Sequence, residues 1–190
     1  MAAAWVIYKA HFWQNMHASA MTLKRKVLIV GLLGLLAAAC SSHGRLRGET
    51  FEKGNLRYHV VKPDAAHWQQ AKVSGNDLSF ISREGGFLLA LNSTCKGHED
   101  APLEALTQHL LIGFTEREKL KSERLPVDGR EGLLSRYIAK MDGVARELDL
   151  FVFKKDGCVF DLSYIAPMGR GEVWRSEFEQ MVAEFRVRYK

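Results

Sequence analysis

Apolar and polar residues alternate along NLRYHVV: Leu56, Tyr58 and Val60 fall on one side, Arg57 and His59 on the other. A period of two is the pattern of a half-buried strand. It returns in DLSFISR, where Leu78 and Phe80 share a face, and in FLLALNSTC, where Phe87, Leu89, Leu91 and Cys95 do. EGG lies between these two runs and reads as the glycine turn of a hairpin. HWQQAKVSG, upstream of them, reads as a connection or the start of a further strand.

The period then changes. In HEDAPLEALTQHLLIGFTEREKLKSER, the residues Leu103, Leu106, Leu110 and Phe114 recur at intervals of three, four and four. That spacing predicts an amphipathic helix. Asp100 stands where an N-cap would, Pro102 is tolerated in the first turn, and Gly113 falls within the helix. Lys119, Lys121 and Arg124 suit its C-terminal end. Three alternating runs follow: GLLSRYIAKM, VARELDLFVFKK and CVFDLSYIAP. Asp142-Gly143 and Asp156-Gly157 join them, and Asp-Gly between alternating runs is the strongest short hairpin signal. The last segment, GEVWRSEFEQMVAEFRVRYK, has Trp174, Phe178, Met181 and Phe185 at intervals of four, three and four, which predicts a second helix. The expected fold class is α+β: an antiparallel sheet of about six strands flanked by two main helices.

The amino end follows a different logic. Lys24, Arg25 and Lys26 precede an uncharged run from Val27 to Leu36, and Ala37, Ala38 and Ala39 lead into Cys40. A basic region, a short apolar region and small residues before a cut describe a secretory signal peptide. The apolar stretch falls short of the roughly 20 residues that a membrane-spanning helix needs. Small residues directly before a cysteine resemble the lipobox of bacterial lipoproteins. In that family the thiol receives a diacylglyceryl group, the peptide is cut before it, and the new amine is acylated. The family prefers leucine three places before the cysteine; here that place holds Ala37, with Leu36 one further back. The plainer reading is an ordinary cleaved signal that contains Cys40 by chance. Residues 1–20 read as a start assigned too early or an extension, with Met1, Met16 or Met21 as the start. Residues 21–39 read as the signal, 40–52 as the lipidated cysteine and tether, and 53–190 as one α+β domain.

The segments GREGLLSRYIAKMDG, LDLFVFKKDGCVFDLSYIAP and WRSEFEQMVAEFRV resemble the PsbP-like fold. That fold is shared by the extrinsic PsbP protein of photosystem II and by a Ran-binding nuclear import factor. The resemblance spans residues from about 50 to 188 and implies an α/β/α sandwich. It carries no catalytic motif, and many bacterial lipoproteins of unassigned role resemble the same fold.

Charge changes the picture little. The formal +5 owes four of its 27 cations to Lys9, Lys24, Arg25 and Lys26, ahead of Cys40. From Cys40 onward 23 basic residues face 22 acidic ones. A domain so near neutrality offers no broad field for nucleic acid.

Beyond Cys40 only Cys95 and Cys158 remain. In an exported chain they invite a disulfide, worth roughly 4 kcal/mol for a loop of about 60 residues. The alternatives are two buried thiols or a reactive cysteine. The cluster TCKGHED gathers Cys95, His98, Glu99 and Asp100. A cysteine nucleophile at Cys95 would need His98 within hydrogen-bond reach, and a zinc site would need further ligands that no motif supplies. The bland reading is a strand end and a helix cap. His98 and Asp100 stay as site candidates; no catalytic residue, metal or cofactor is assigned.

Three functions follow as expectations. The first is a non-enzymatic lipoprotein held to the bilayer through acylated Cys40. It sits in the cell envelope, on the outer membrane facing the periplasm, and binds an envelope protein or supports assembly of an envelope complex. The second is a carrier or sensor of a small apolar ligand. The third is a cysteine-dependent enzyme, thiol or hydrolytic, centred on Cys95 and His98.

Overall fold

A computed structural model describes residues 44–97 and 100–189. Cys40, His98 and Glu99 lie outside the described residues. Eleven strands and two helices succeed one another among those described: β1 (Arg45–Arg47), β2 (Thr50–Lys53), β3 (Leu56–His59), β4 (Trp68–Gln70), β5 (Leu78–Ser82), β6 (Leu88–Thr94), α1 (Leu103–Leu110), β7 (Phe114–Val127), β8 (Arg130–Met141), β9 (Val144–Lys155), β10 (Cys158–Pro167), α2 (Arg175–Ala183) and β11 (Arg186–Tyr189). They form a seven-stranded sheet, order β4-β5-β6-β10-β9-β8-β7, and a four-stranded sheet, order β1-β2-β3-β11. Every pairing is antiparallel.

The two-residue period sorts side chains to the two faces of the large sheet. On one face Phe151, Phe153, Phe160, Leu162, Tyr164, Leu89 and Leu91 join residues of the small sheet and of α2 in the main apolar cluster. Stacked or tilted rings fill it: Phe153 lies 5.0 Å from Phe160, and Phe185 5.1 Å from Tyr58. On the other face Leu133, Val152 and Val159 pack under Leu103 and Leu106 of α1. Tyr137, Ala139, Leu148 and Leu150 pack with Leu111. The molecule is thus three-layered, with α1 on one side and α2 plus the small sheet on the other. Residues 44–189 hold both helices and all three apolar clusters, so this unit encloses a complete core of its own.

The meander is as the Asp-Gly signals predict. Asp142 and Gly143 have φ of 51° and 80°, and Asp156 and Gly157 have 50° and 75°. These are the paired positive values that a type I′ turn requires.

The α+β class with two helices holds, and five details of it need correction. The sheet of about six strands is eleven strands in two sheets. The tether expected to reach residue 52 already contains β1 and β2, because Leu46 and Phe51 turn inward onto the core. The helix expected to run to Arg124 ends at Leu110, and Gly113 adopts φ 94° beyond it. Its N-cap position is Pro102, not Asp100. From Phe114 the chain is strand β7, which among the described residues is an outer edge of the large sheet paired only with β8, with bulges on either side of Glu118 and Lys119. Pairing with β8 outweighs the helix preference of its Lys and Glu residues, as tertiary context routinely does. Finally, the closing helix stops at Ala183, and β11 completes the small sheet beside β3.

Candidate functional site

Cys95 follows the end of β6 and Cys158 opens β10, so strand pairing alone brings them together. They form a disulfide with Cα atoms 3.9 Å apart, across 63 residues of sequence. The bond consumes the thiol that a nucleophile at Cys95 requires, and the cysteine-enzyme expectation loses its central atom. Asp100 is exposed in the turn before α1. Among the described residues no three His, Cys, Asp or Glu side chains gather to hold a metal.

The structure assembles a polar cluster that sequence reasoning missed. Asp77 precedes β5, and its side chain is only 7% exposed. Three side chains from three strands converge on it. Lys53 of β2 pairs with it at 2.7 Å, the Tyr58 hydroxyl of β3 donates at 3.2 Å, and the Ser93 hydroxyl of β6 donates to its second oxygen. Lys53 also donates to the Ser93 carbonyl at 3.1 Å. Burial, and then the Asp77 charge, push the Tyr58 hydroxyl well above its ordinary range, so it stays a donor. Charge pairing and hydrogen bonds of this kind make a buried carboxylate tolerable.

Asp161 of β10 completes the electrostatics. Its carboxyl is pushed up to about 7, chiefly by burial and next by the charge of Asp77; a hydrogen bond to Asn92 and the Lys53 cation pull the other way. A charge on Asp161 is therefore disfavoured beside Asp77, and every donor that reaches Asp77 belongs to the two sheets. The cluster latches the small sheet to the large one. It floors an open groove of about 590 Å³, where Leu46, Phe51 and Leu78 mix with Lys53, Asn76 and Asn92.

A second ionic group fastens α2. Buried Asp149 of β9 accepts from Arg175 Nε at 2.7 Å and pairs with Arg136 at 3.2 Å. Arg136 also pairs with Glu179 at 2.9 Å, and Arg175 reaches Glu147 at 3.9 Å and Glu172. Each charge has a partner, as burial demands. No sequence motif marks either cluster, because their members are scattered across strands whose register only the fold sets.

No family model matches the sequence, and no curated protein matches it. Solved structures match its shape. Cyanobacterial PsbP (CyanoP) from Synechocystis sp. PCC 6803 superposes with a TM-score of 0.53 at 15% identity, over 83% of this chain and 100% of that one. LpqN of Mycobacterium tuberculosis, a protein involved in cell envelope biogenesis, superposes with a TM-score of 0.50 at 12% identity, over 72% of this chain and 86% of that one. The fold of this chain is PsbP-like.

Proposed function

We propose that this chain is an exported lipoprotein, held to a membrane of the cell envelope by acylated Cys40. Its PsbP-like domain acts as a non-enzymatic module that binds an envelope protein or supports assembly of an envelope complex. The observation that carries this reading is the Cys95–Cys158 disulfide, since such bonds persist in oxidising compartments outside the cytosol. The lipobox-like run before Cys40 supports it, as does the envelope role of LpqN, whose fold is similar. Ser41 and Ser42 after the cysteine resemble the pattern sorted to the outer membrane, facing the periplasm.

Mass analysis of the mature amino terminus tests the anchor. The expected product begins at Cys40 and carries a diacylglyceryl thioether. An unmodified thiol with the upstream peptide still attached overturns the reading. For the module, photo-crosslinkers at exposed Val144 and Met168 in native membranes should give one discrete adduct; a crosslinking pattern no different from that of an unrelated anchored domain counts against it.

A second reading rests on the groove above Asp77. Its mixed lining suits a small ligand with an apolar body and a polar end. An organic extract of the native protein should then contain one compound in stoichiometric amount, and an empty extract removes this reading.

A further inference from the structure

The small sheet has an inner and an outer face. Leu46, Phe51, Tyr58 and Val187 point inward and are opposite one another in the strand register. The outer face therefore carries the alternate residues. One cross-strand row is Arg45, Glu52, Arg57 and Arg188; the next is Arg47, Thr50, His59 and Arg186. Arg45, Arg47, Arg186 and Arg188 are exposed and Arg57 is half-buried.

Five guanidinium groups thus share a surface four strands wide, about 14 Å across at the usual strand spacing. The acids beside them are Glu52, 2.9 Å from Arg57, and Glu49, 3.9 Å from His59. This excess stands in a domain whose cations and anions otherwise nearly balance. Arg57 lies directly opposite Arg188, and like charges in that relation are unfavourable. Within the fold Arg57 pairs with Glu52, and Arg186 donates to the Ala183 and Phe185 carbonyls at the end of α2. The inner face supplies the packing of this sheet, so exposed Arg45, Arg47 and Arg188 are the cations turned to the surroundings. All five cations are arginine, whose planar fork matches the oxygens of a phosphate.

Covalent geometry says which phosphate. Gly44 is four residues from Cys40, so the two Cα atoms lie within about 14 Å of each other whatever path joins them. Arg45 is the next residue, in the edge strand of this sheet. We propose that the outer face of the small sheet lies on an anionic bilayer surface, its arginines binding phospholipid phosphates. This adds an electrostatic attachment to the hydrophobic one, a pairing of signals that holds proteins stably to membranes. It also sets an orientation: α1, on the opposite side of the large sheet, faces away from the lipid. The orientation rests on the proposed Cys40 anchor, whereas the lipid binding does not.

The test uses residues 40–190 with Cys40→Ser, so that no acyl chain contributes. This protein is sedimented with vesicles of phosphatidylethanolamine and phosphatidylglycerol, and separately with phosphatidylcholine alone. It should bind the anionic vesicles, release them as salt rises through the physiological range, and ignore the neutral ones. Combined Arg45→Gln, Arg47→Gln and Arg188→Gln should weaken binding by about tenfold or more. Combined Arg117→Gln, Lys119→Gln and Lys121→Gln on β7 should leave it within about twofold. Circular dichroism confirms that both variants are folded, and a single Arg45→Gln variant gives a smaller loss if the triple does not fold. The proposal is overturned by no binding to anionic vesicles, by equal binding to neutral ones, or by equal loss in the β7 variant. Retention on polyglutamate without vesicle binding reassigns the face to an acidic protein and overturns it too. The mass of the mature amino terminus reports on acylation separately, so either claim fails without the other.

Discussion

Lys53 Nζ lies 2.7 Å from Asp77 Oδ1 and bridges the two sheets at their junction. The Tyr58 and Ser93 hydroxyls share the same carboxylate, so Asp77 satisfies three donors at once. Removing a shared acceptor strands every donor around it, which costs more than any one bond contributes. Asp77→Ala should therefore destabilise the domain by about 3 kcal/mol in urea unfolding, and Tyr58→Phe by only about 1 kcal/mol. Equal effects would show that the carboxylate is not the centre of the latch.

The disulfide spans a long loop. Replacing both Cys95 and Cys158 with serine should cost about 4 kcal/mol, with little change in the slope of the native-state signal. A smaller loss would mean that pairing of β6 with β10 already holds these strand ends.

Asp161 gives stability a pH dependence of definite sign. Its folded value of about 7 lies above the ordinary 3.8. Between those values the unfolded chain releases its proton while the folded chain keeps it, so stability falls as pH rises and levels off above about 7. Asp161→Asn, which keeps the neutral shape, should raise Tm at pH 8 by about 4 °C or more and have little effect at pH 4. A pH-independent shift would sink this account.

Gly132 of β8 lies against the Phe151 ring, which sits in the core with no exposure; a Cβ added there would fall 2.2 Å from the ring. Gly132→Ala forces the ring to move among packed neighbours. It should cost about 1 to 3 kcal/mol, and Phe151→Leu in the same chain should recover part of it.

The legible parts of the chain were those where local pattern and tertiary setting agree. The β8–β9–β10 meander has clear alternation and Asp-Gly turns, and its inward phenylalanines were identifiable from parity alone. Cys95 and Cys158 likewise fall on the parity of the core. Segment 114–127 misled because a charged edge strand needs few apolar residues, and its Glu and Lys favour helix when nothing competes. Yet Asp128-Gly129, with φ of 47° and 72°, is the same turn signal at its end, and reading it would have disclosed the strand. The small sheet was hidden because its strands have three or four residues each and one comes from the far terminus. Asp77 and Asp149 carried no signal, since their partners are distant in sequence.

β7 bears on how such a molecule behaves in a crowd. Among the described residues no strand lies beside its outer edge, and at fourteen residues that edge is long enough to recruit the backbone of a neighbour. Here it is studded with Glu, Lys and Arg, broken twice in register and closed by Pro126, devices that discourage strand-to-strand zippering. Copies brought side by side would meet along a charged, kinked rim. The same residues that disguise this stretch as a helix thus act against edge-to-edge pairing of copies.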